Sequence, residues 1–354
     1  MADYSALDRL LHRLALQVRP IAEASFDLDQ QGLKSVPEQT AHQGHVFISG
    51  LARAGTTILM RRFHATGDFC SLTYRHMPFV LAPRLWGKLS AGMKRDVTAH
   101  ERAHGDGIRV DADSPESLDE VFWRVLDGEG YIAKTHLAPH TPDDETAQKF
   151  IAYVAAILST TDRPDARYLS KNNNNILRLT TIRRLFPRAL ILLPFREPLT
   201  HATSLWRQHA HFSEVQRQDA FVRAYMTWLA HHEFGGDHRP FRFDAAGAAR
   251  LARFDPRKMD YWLELWRQSY LWLERTAPPD AVFVCYEDLC GRAETLDRLL
   301  DMADVTDASA NAEPLRLSRV TAEQPTDPAL AEETSQLYDR LRQRSRAALE
   351  SQPA

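Results

Sequence analysis

The stretch HVFISGLARAGTTILMRRFH, at residues 45–64, carries the residue types and spacing of an anion-binding site. An apolar run of strand length leads into Gly50–Thr57, and an apolar helical pattern follows. Glycine permits loop dihedrals closed to other residues, and the first free N–H groups of a helix attract anions. Arg53 adds a cation to the loop, and Thr56 and Thr57 add hydroxyl donors. The sequence therefore predicts a phosphate-binding loop.

A second candidate phosphate contact lies in FPRALILLPFREPLTHATSLWRQ, at residues 186–208. Arg196 ends an apolar strand pattern, which is where open α/β sheets bind ligands. Pro198 suits the first turn of the helix that follows, and Ser204 lies about two turns into that helix. Arginine fits phosphate because its planar fork makes two parallel charge-assisted hydrogen bonds. Arg196 and Ser204 are thus predicted to share one phosphate.

These two stretches resemble the sulfotransferases that use 3′-phosphoadenosine 5′-phosphosulfate (PAPS). Their 5′-phosphosulfate loop reads Lys/Arg-Ser-Gly-Thr-Thr, and here Arg53-Ala54-Gly55-Thr56-Thr57 stands in its place. The arginine form is closest to the tyrosylprotein-type and bacterial members. Their 3′-phosphate segment is similar to the one that contains Arg196, Pro198 and Ser204. Ala54 departs from the family pattern, because it removes one hydroxyl.

The resemblance implies transfer of a sulfuryl group from PAPS to an acceptor oxygen or nitrogen, without a metal. Arg53 would then stabilise the charge that builds on the leaving phosphate oxygen. Lys171, which follows a β-like run, would contact the sulfonate or the donor, as a family lysine at such a strand end does. The resemblance implies 5′-phosphosulfate binding by Arg53–Thr57 and 3′-phosphate binding by Arg196 and Ser204.

The residue that takes the acceptor proton is less defined, and three candidates stay open. The catalytic Glu of tyrosylprotein-type members corresponds in position to Tyr74–His76, where His76 is the candidate because its ordinary pKa suits a base near neutral pH. Lys134–Leu137 looks like the Lys-Thr-His-Leu of cytosolic sulfotransferases, which makes His136 the second. The charged, glycine-flanked loop 101–107 is the third.

Strand-like runs alternate with helical patterns, so we expect an α/β fold. The fold predicted is three-layered, with a mostly parallel central sheet, helices on both faces and the P-loop-like sulfotransferase architecture. The predicted strands are 45–49, 69–73, 131–133, 167–170, 189–195 and 281–286. A single domain over 1–354 is predicted. Its accessory parts are an N-terminal helix (4–17), an insertion or lid (235–259) and a C-terminal helical tail (328–347).

Composition narrows the possible partners. The 44 Lys+Arg and 47 Asp+Glu of the 354 residues leave a net charge of −3, which argues against an indiscriminate nucleic-acid binder. Three cysteines form no paired framework, and no apolar run approaches the length of a bilayer span, so a cytoplasmic protein without a membrane segment is expected.

The leading prediction is therefore a PAPS-dependent sulfotransferase for a hydroxyl, or an amine, on a small molecule, glycan, lipid or peptide. One alternative is a nucleotide-dependent phosphotransferase or NTPase, with Glu287–Asp288 as a magnesium-binding acid. Thr56 argues against it, because it stands where such enzymes carry lysine. The other alternative is a non-catalytic nucleotide-binding protein. The acceptor and the oligomeric state are left open.

Overall fold

The protein is described from a computed structural model. The structure describes residues 5–31, 33, 38–90, 100–101, 109–110, 114–305, 315, 317 and 320–350. Within them the chain forms a sheet packed between helices, and each element follows from a short apolar run or an amphipathic pattern.

Five parallel strands form the central sheet, in the order β2-β5-β1-β6-β7. A separate antiparallel ribbon pairs β3 with β4. The strands are β1 (Val46–Ile48), β2 (Phe69–Cys70), β3 (His100–Glu101), β4 (Arg109–Val110), β5 (Arg167–Lys171), β6 (Leu190–Phe195) and β7 (Val282–Cys285). A parallel sheet buried on both faces reads as continuous apolar runs, and β1, β6 and β7 have that composition.

Fifteen α-helices surround the sheet in the described part of the chain. They are α1 (Ala6–His12), α2 (Arg19–Gln30), α3 (Glu38–His42), α4 (Thr56–Ala65), α5 (Pro83–Ser90), α6 (Glu120–Tyr131), α7 (Asp144–Leu158), α8 (Leu179–Leu185), α9 (Pro198–Gln218), α10 (Ala220–Trp228), α11 (Ala245–Leu251), α12 (Met259–Thr276), α13 (Tyr286–Gly291), α14 (Ala293–Met302) and α15 (Pro328–Glu350). A π-helical turn extends α1 over Arg13–Gln17, and 3₁₀ turns cover Tyr74–His76 and Asn173–Leu177.

Alternate strand residues enter two separate apolar clusters, one on each face of the sheet. Phe47 and Ile191 belong to the larger cluster, with side chains of α6, α7 and α12. Val46, Ile48 and Leu192 belong to the smaller one, with side chains of α4 and α14. Helices therefore cover both faces, which confirms the predicted three-layer α/β arrangement.

The chain reverses its direction of progress across the sheet at β1, whose neighbours are β5 on one side and β6 on the other. Open α/β sheets bind ligands at such a switch point, beyond the carboxyl ends of the strands. The segments that connect β1, β5 and β6 to the next α-helix here are 49–55, 172–178 and 196–197. They include the predicted phosphate-binding loop and Arg196.

Five of the six predicted strands are confirmed, with ends that shift by one to three residues. The strand predicted at 131–133 is wrong. Tyr131 is the last residue of α6, and Ile132 makes only an isolated bridge to Leu137. The helix runs on through Gly128 and Gly130, two residues that weaken the helical pattern in the sequence.

The accessory parts match their predictions only in outline. The predicted N-terminal helix 4–17 is α1 and its π-helical extension within the described residues, and the predicted tail 328–347 is α15, which runs on to Glu350. The segment 235–259 holds a connection and the short α11. Its Pro240 and Arg242 form backbone hydrogen bonds with Leu137. That this segment closes as a lid stays a prediction.

A buried ion pair between α6 and the residue before α8 gives a stability prediction. Arg178 and Glu120 form two hydrogen bonds of 2.7 and 3.0 Å, and their side chains are 0 and 3% exposed. Arg178→Met leaves the carboxylate uncompensated, so we expect the free energy of unfolding to fall by about 3–5 kcal/mol. Urea denaturation measures it. The control Arg217→Met breaks an exposed pair with Glu214 and should cost less than about 1 kcal/mol; an equal cost in both would contradict the prediction.

A second prediction concerns pH and the buried Asp119. Its carboxylate accepts hydrogen bonds from Tyr168 and Ser170, and burial raises its pKa from 3.8 to about 6. The folded protein therefore holds this proton more tightly than the unfolded chain does, and its stability falls as the pH rises between those two values. In Asp119→Asn, the free energy of unfolding measured by urea denaturation should no longer fall as the pH rises over this range. The exposed control Asp162→Asn should keep this pH dependence. An unchanged pH dependence in Asp119→Asn would refute its assignment to Asp119.

Candidate active site

The loop between β1 and α4 has the backbone of an anion cradle. Arg53 and Gly55 both have left-handed backbones, with φ of +70° and +89°. The N-cap residue of α4 is Gly55, which supplies no side-chain hydrogen bond to the first N–H groups of the helix, and such N–H groups attract anions. A Cβ at Gly50 would lie 2.8 Å from the carbonyl oxygen of Pro194, and one at Gly55 would lie 2.6 Å from the Tyr286 ring. Glycine is required at both positions.

Side chains of α9 hold this loop. Nε of Arg53 donates to the Ser204 hydroxyl at 3.4 Å, across 151 residues of sequence. The ring Nε2 of His201 contacts the carbonyl oxygen of Ala52 at 2.8 Å. The two segments that the sequence predicts to bind phosphate are therefore neighbours in the structure.

Arg196 leaves the end of β6 and lies on the same side of the sheet. It is 5% exposed, and its guanidinium carbon lies 5.2 Å from the centre of the Tyr286 ring, the ring that abuts Gly55. Burial lowers the pKa of Arg196, with Tyr286 and Glu287 opposing the shift. Within the described part of the chain, no side chain forms a hydrogen bond to its guanidinium. Its donors are therefore available to a ligand.

Small polar side chains lie at the start of the loop and at the N-terminus of α4. The hydroxyl of Ser49, at the start of the loop, is fully buried and has no partner among the described residues. Thr56 is the first residue of α4 and is also buried, whereas Thr57 is partly exposed. Ala54 is fully buried, so its methyl group packs where the family pattern has a hydroxyl. Arg53 lies near enough to Arg196 for its charge to lower the pKa of Arg196, so the two side chains place two positive charges at this end of the sheet.

Lys171 ends β5 directly opposite Ile48, the last residue of β1. It is 8% exposed, and the loop begins one residue beyond its neighbour. The first of the four asparagines that follow Lys171 forms hydrogen bonds with the next turn and with α6. Asn172 caps the 3₁₀ turn by accepting from the Asn174 amide, and its Nδ2 donates to Glu120 at 2.7 Å. Lys171 is thus held at the strand end where it was predicted, and its contact with a donor stays a prediction.

The three base candidates differ in their surroundings. Nδ1 of His76 lies 3.0 Å from the Thr73 amide, so this ring helps to close a 3₁₀ turn. His136 lies in the turn between Ile132 and Leu137, and burial with the charge of Arg242 lowers its pKa. Residues 102–107 of the 101–107 loop lie outside the described residues. None of the three candidate roles is tested by these contacts.

Glu287 and Asp288, the pair that the phosphotransferase alternative assigns to magnesium, lie in the first turn of α13. Asp288 lies inside α13, and its carboxylate accepts hydrogen bonds from Arg342 and Arg346 of α15. The neighbouring Glu287 accepts from the backbone amide of Glu197 and from the Tyr338 hydroxyl. Both carboxylates are thus engaged in internal contacts that no local pattern reveals. Among the described residues, no group of three His, Cys, Asp or Glu side chains is placed to hold a metal ion.

A cavity opens between the loop and the segment after α10. Leu51 and Ala52 line it from the loop, and Glu233 and Phe241 line it from the other side. Trp262 also lines it and belongs to the larger core cluster. Sequence reasoning missed Glu233 as a site residue. The only signal was the run His231-His232-Glu233, which looks like an incomplete metal motif.

A sequence model described as "Sulfotransferase family" matches residues 45–242, more than half of the chain. One solved structure that resembles this one is sulfotransferase STF1 from Mycobacterium tuberculosis H37Rv, with 15% identity, a TM-score of 0.44, and coverage of 97% of this chain and 87% of that one. Another is sulfotransferase STF9 from Mycobacterium avium, with 13% identity, a TM-score of 0.44, and coverage of 96% of this chain and 79% of that one. A third is the sulfotransferase domain from the curacin biosynthetic pathway, with 14% identity, a TM-score of 0.39, and coverage of 85% of this chain and 98% of that one. No curated protein matches the chain. Among the helices described, none combines the length and apolarity of a membrane span.

Proposed function

Because this chain belongs to the sulfotransferase family, we propose that it transfers a sulfuryl group from PAPS to a hydroxyl or amine of an acceptor. The observation that carries the proposal is the contact of Arg53 with Ser204. It brings the loop suited to a 5′-phosphosulfate against the helix suited to a 3′-phosphate. A ligand with phosphates on both ends of a ribose would meet both segments at once.

PAPS would supply an activated sulfuryl group attached to a good leaving phosphate. The N-terminus of α4, with Thr56 and Thr57, would hold the 5′-phosphate. Arg53 would face the bridging oxygen and stabilise the negative charge that develops there. Arg196 and Ser204 would hold the 3′-phosphate, and Lys171 would bind the sulfonate oxygens from the adjacent strand end. Holding both ends of the donor aligns it for in-line attack.

The cavity beside the loop is where an acceptor would reach the sulfuryl group. Its walls combine apolar side chains with Glu233, His238 and Arg239. Such a lining suits a hydroxyl or amine carried on a partly apolar body. We place the reaction in a reducing compartment, the cytoplasm, since Cys70, Cys285 and Cys290 are all free thiols.

A calorimetric titration with 3′-phosphoadenosine 5′-phosphate, the desulfated donor, tests the proposal. It is compared with 5′-AMP and ATP, each with and without magnesium. We expect selective binding of the 3′-phosphorylated nucleotide, independent of magnesium. Transfer is then assayed with ³⁵S-labelled PAPS and a panel of phenols, alcohols and amines. Equal binding of 5′-AMP, or binding of ATP only with magnesium, would refute the proposal and favour a phosphotransferase.

A further inference from the structure

Three polar side chains converge beside the phosphate-binding loop. Nδ2 of Asn173 donates to Oε1 of Glu233 at 3.1 Å, and Oε2 of Glu233 lies 3.5 Å from Nδ1 of His231. Glu233 also lines the cavity bounded by Leu51 and Ala52 of the loop. Glu233, the carboxylate partner of the His231 imidazole, therefore lies at the edge of the space that faces the loop.

We propose that His231 is the general base that takes the proton of the acceptor, and that Glu233 positions it. The inference rests on the proposed sulfuryl transfer and names the base of that same site. Because Nδ1 faces Glu233, Nε2 on the far side of the ring is the nitrogen left for the acceptor. No described residue forms a hydrogen bond to it, and the side chain keeps 28% of its surface exposed, so a substrate hydroxyl can reach it.

The backbone that presents this pair is strained. Ala230, the residue before His231, is fully buried and has a left-handed backbone with φ of +56°. Nδ2 of Asn174 donates to its carbonyl oxygen at 3.4 Å. Non-glycine residues keep such conformations only where the surroundings enforce them, and these positions concentrate at functional sites. The asparagine run after β5 thus holds both the strained residue and the carboxylate.

The charges around the ring suit a base. Glu233, Lys171 and Glu116 are the charged groups that bear on His231. Burial lowers the pKa of His231, but ion pairing with Glu233 outweighs it, so the pKa lies above its ordinary value. Ion pairing with His231 holds the pKa of Glu233 well below its ordinary value despite burial. Burial lowers the pKa of other histidines, namely His45, His140, His201, His232 and His238.

The proposed step moves one proton and one sulfuryl group. The acceptor oxygen loses its proton to Nε2 of His231 as its electron pair forms the new bond to sulfur. The bond from sulfur to the bridging oxygen breaks, and its electrons stay on the 5′-phosphate facing Arg53. The products are the sulfated acceptor, the 3′,5′-bisphosphate nucleotide and an imidazolium paired with Glu233, which later releases its proton to water.

The experiment compares His231→Gln, Glu233→Gln and Glu116→Gln with the exposed control His211→Gln. Each variant is titrated with 3′-phosphoadenosine 5′-phosphate and assayed with ³⁵S-PAPS, using the phenol, alcohol and amine panel and water as acceptors. The pKa of His231 is followed by NMR of ¹³C-labelled histidine in the nucleotide complex. The NMR measurement needs no acceptor, and thermal melts confirm that each variant folds.

We expect His231→Gln to lower turnover by about 10²–10⁴-fold with nucleotide affinity unchanged. Since the neutral ring is the active form, the rate rises with pH through the pKa of His231. In Glu233→Gln the pKa of His231 falls, so the rise of the rate with pH begins at lower pH while the maximum rate drops. Glu233→Asp should restore part of the pKa and part of the maximum rate. The inference would be overturned if turnover of His231→Gln stayed within threefold of the control, or if only Glu116→Gln lost turnover. It would also be overturned if Glu233→Gln left the pKa of His231 unchanged. Failure of the nucleotide to bind the unaltered protein would instead refute the proposed function.

Discussion

Arg53→Ala is expected to lower sulfuryl transfer by at least about 10²–10³-fold, the loss typical of removing one group that stabilises transition-state charge. The guanidinium lies in the loop at the N-terminus of α4 and is tied to Ser204, so it is held where the leaving phosphate would develop its charge. Alanine has the same backbone strain as arginine at this position, because both residues carry a Cβ and the backbone is left-handed with φ of +70°. The substitution therefore removes the cation with little change in backbone strain.

Steady-state kinetics with labelled PAPS measure this effect, beside binding of the desulfated nucleotide. We expect the turnover number to fall far more than nucleotide affinity, since the charge on the bridging oxygen develops only during transfer. Arg53→Lys keeps a cation and should retain much of the rate. The exposed Arg253→Ala serves as the matched control. Full activity in Arg53→Ala would rule out the mechanism proposed for this loop.

Arg196→Ala is expected to weaken binding of 3′-phosphoadenosine 5′-phosphate by roughly 10- to 10³-fold, since it removes a buried cation with charge-assisted bonds to phosphate. The guanidinium is 5% exposed and unbonded to any described side chain, so its donors gain their partners only when a ligand binds. Binding of 5′-AMP should change little, because that nucleotide has no 3′-phosphate.

The ratio of the two affinities is therefore the measurement for this prediction. Calorimetry on Arg196→Ala and on the exposed control Arg188→Ala gives it directly. Arg196→Lys should recover only part of the preference, because an ammonium lacks the planar fork. A preference for the 3′-phosphorylated nucleotide that survives in Arg196→Ala would place the 3′-phosphate elsewhere.

The two segments predicted to bind phosphate stand out in the sequence because each is a local pattern, and their binding of phosphate stays a prediction. A strand, a glycine-bounded turn and a helix follow one another at 45–64, and a strand followed by Arg196 and Pro198 marks the other. The alternation of strands and helices was enough for the α/β class. That β1 lies between β5 and β6 depends on pairing between distant segments.

The parts that sequence reasoning missed depend on distant contacts. The run His231-His232-Glu233 has no motif spacing, and the role proposed for it depends on Asn173, 60 residues away. Asp288 follows a strand, as a helix cap often does, yet its partners Arg342 and Arg346 lie more than 50 residues further along. Tyr286 contacts both segments that are predicted to bind phosphate, although its surroundings in sequence suggest only a strand end.

The position of α15 matters for the backbone of β7. β7 is an outer strand of the sheet, and an outer strand offers unpaired backbone groups to any other strand. The hydroxyl of Ser345 accepts a hydrogen bond from the Cys285 amide at 3.3 Å, and Arg344 covers the Phe283 ring. The last helix thus shields that edge from edge-to-edge aggregation, a protective duty separate from any part in catalysis.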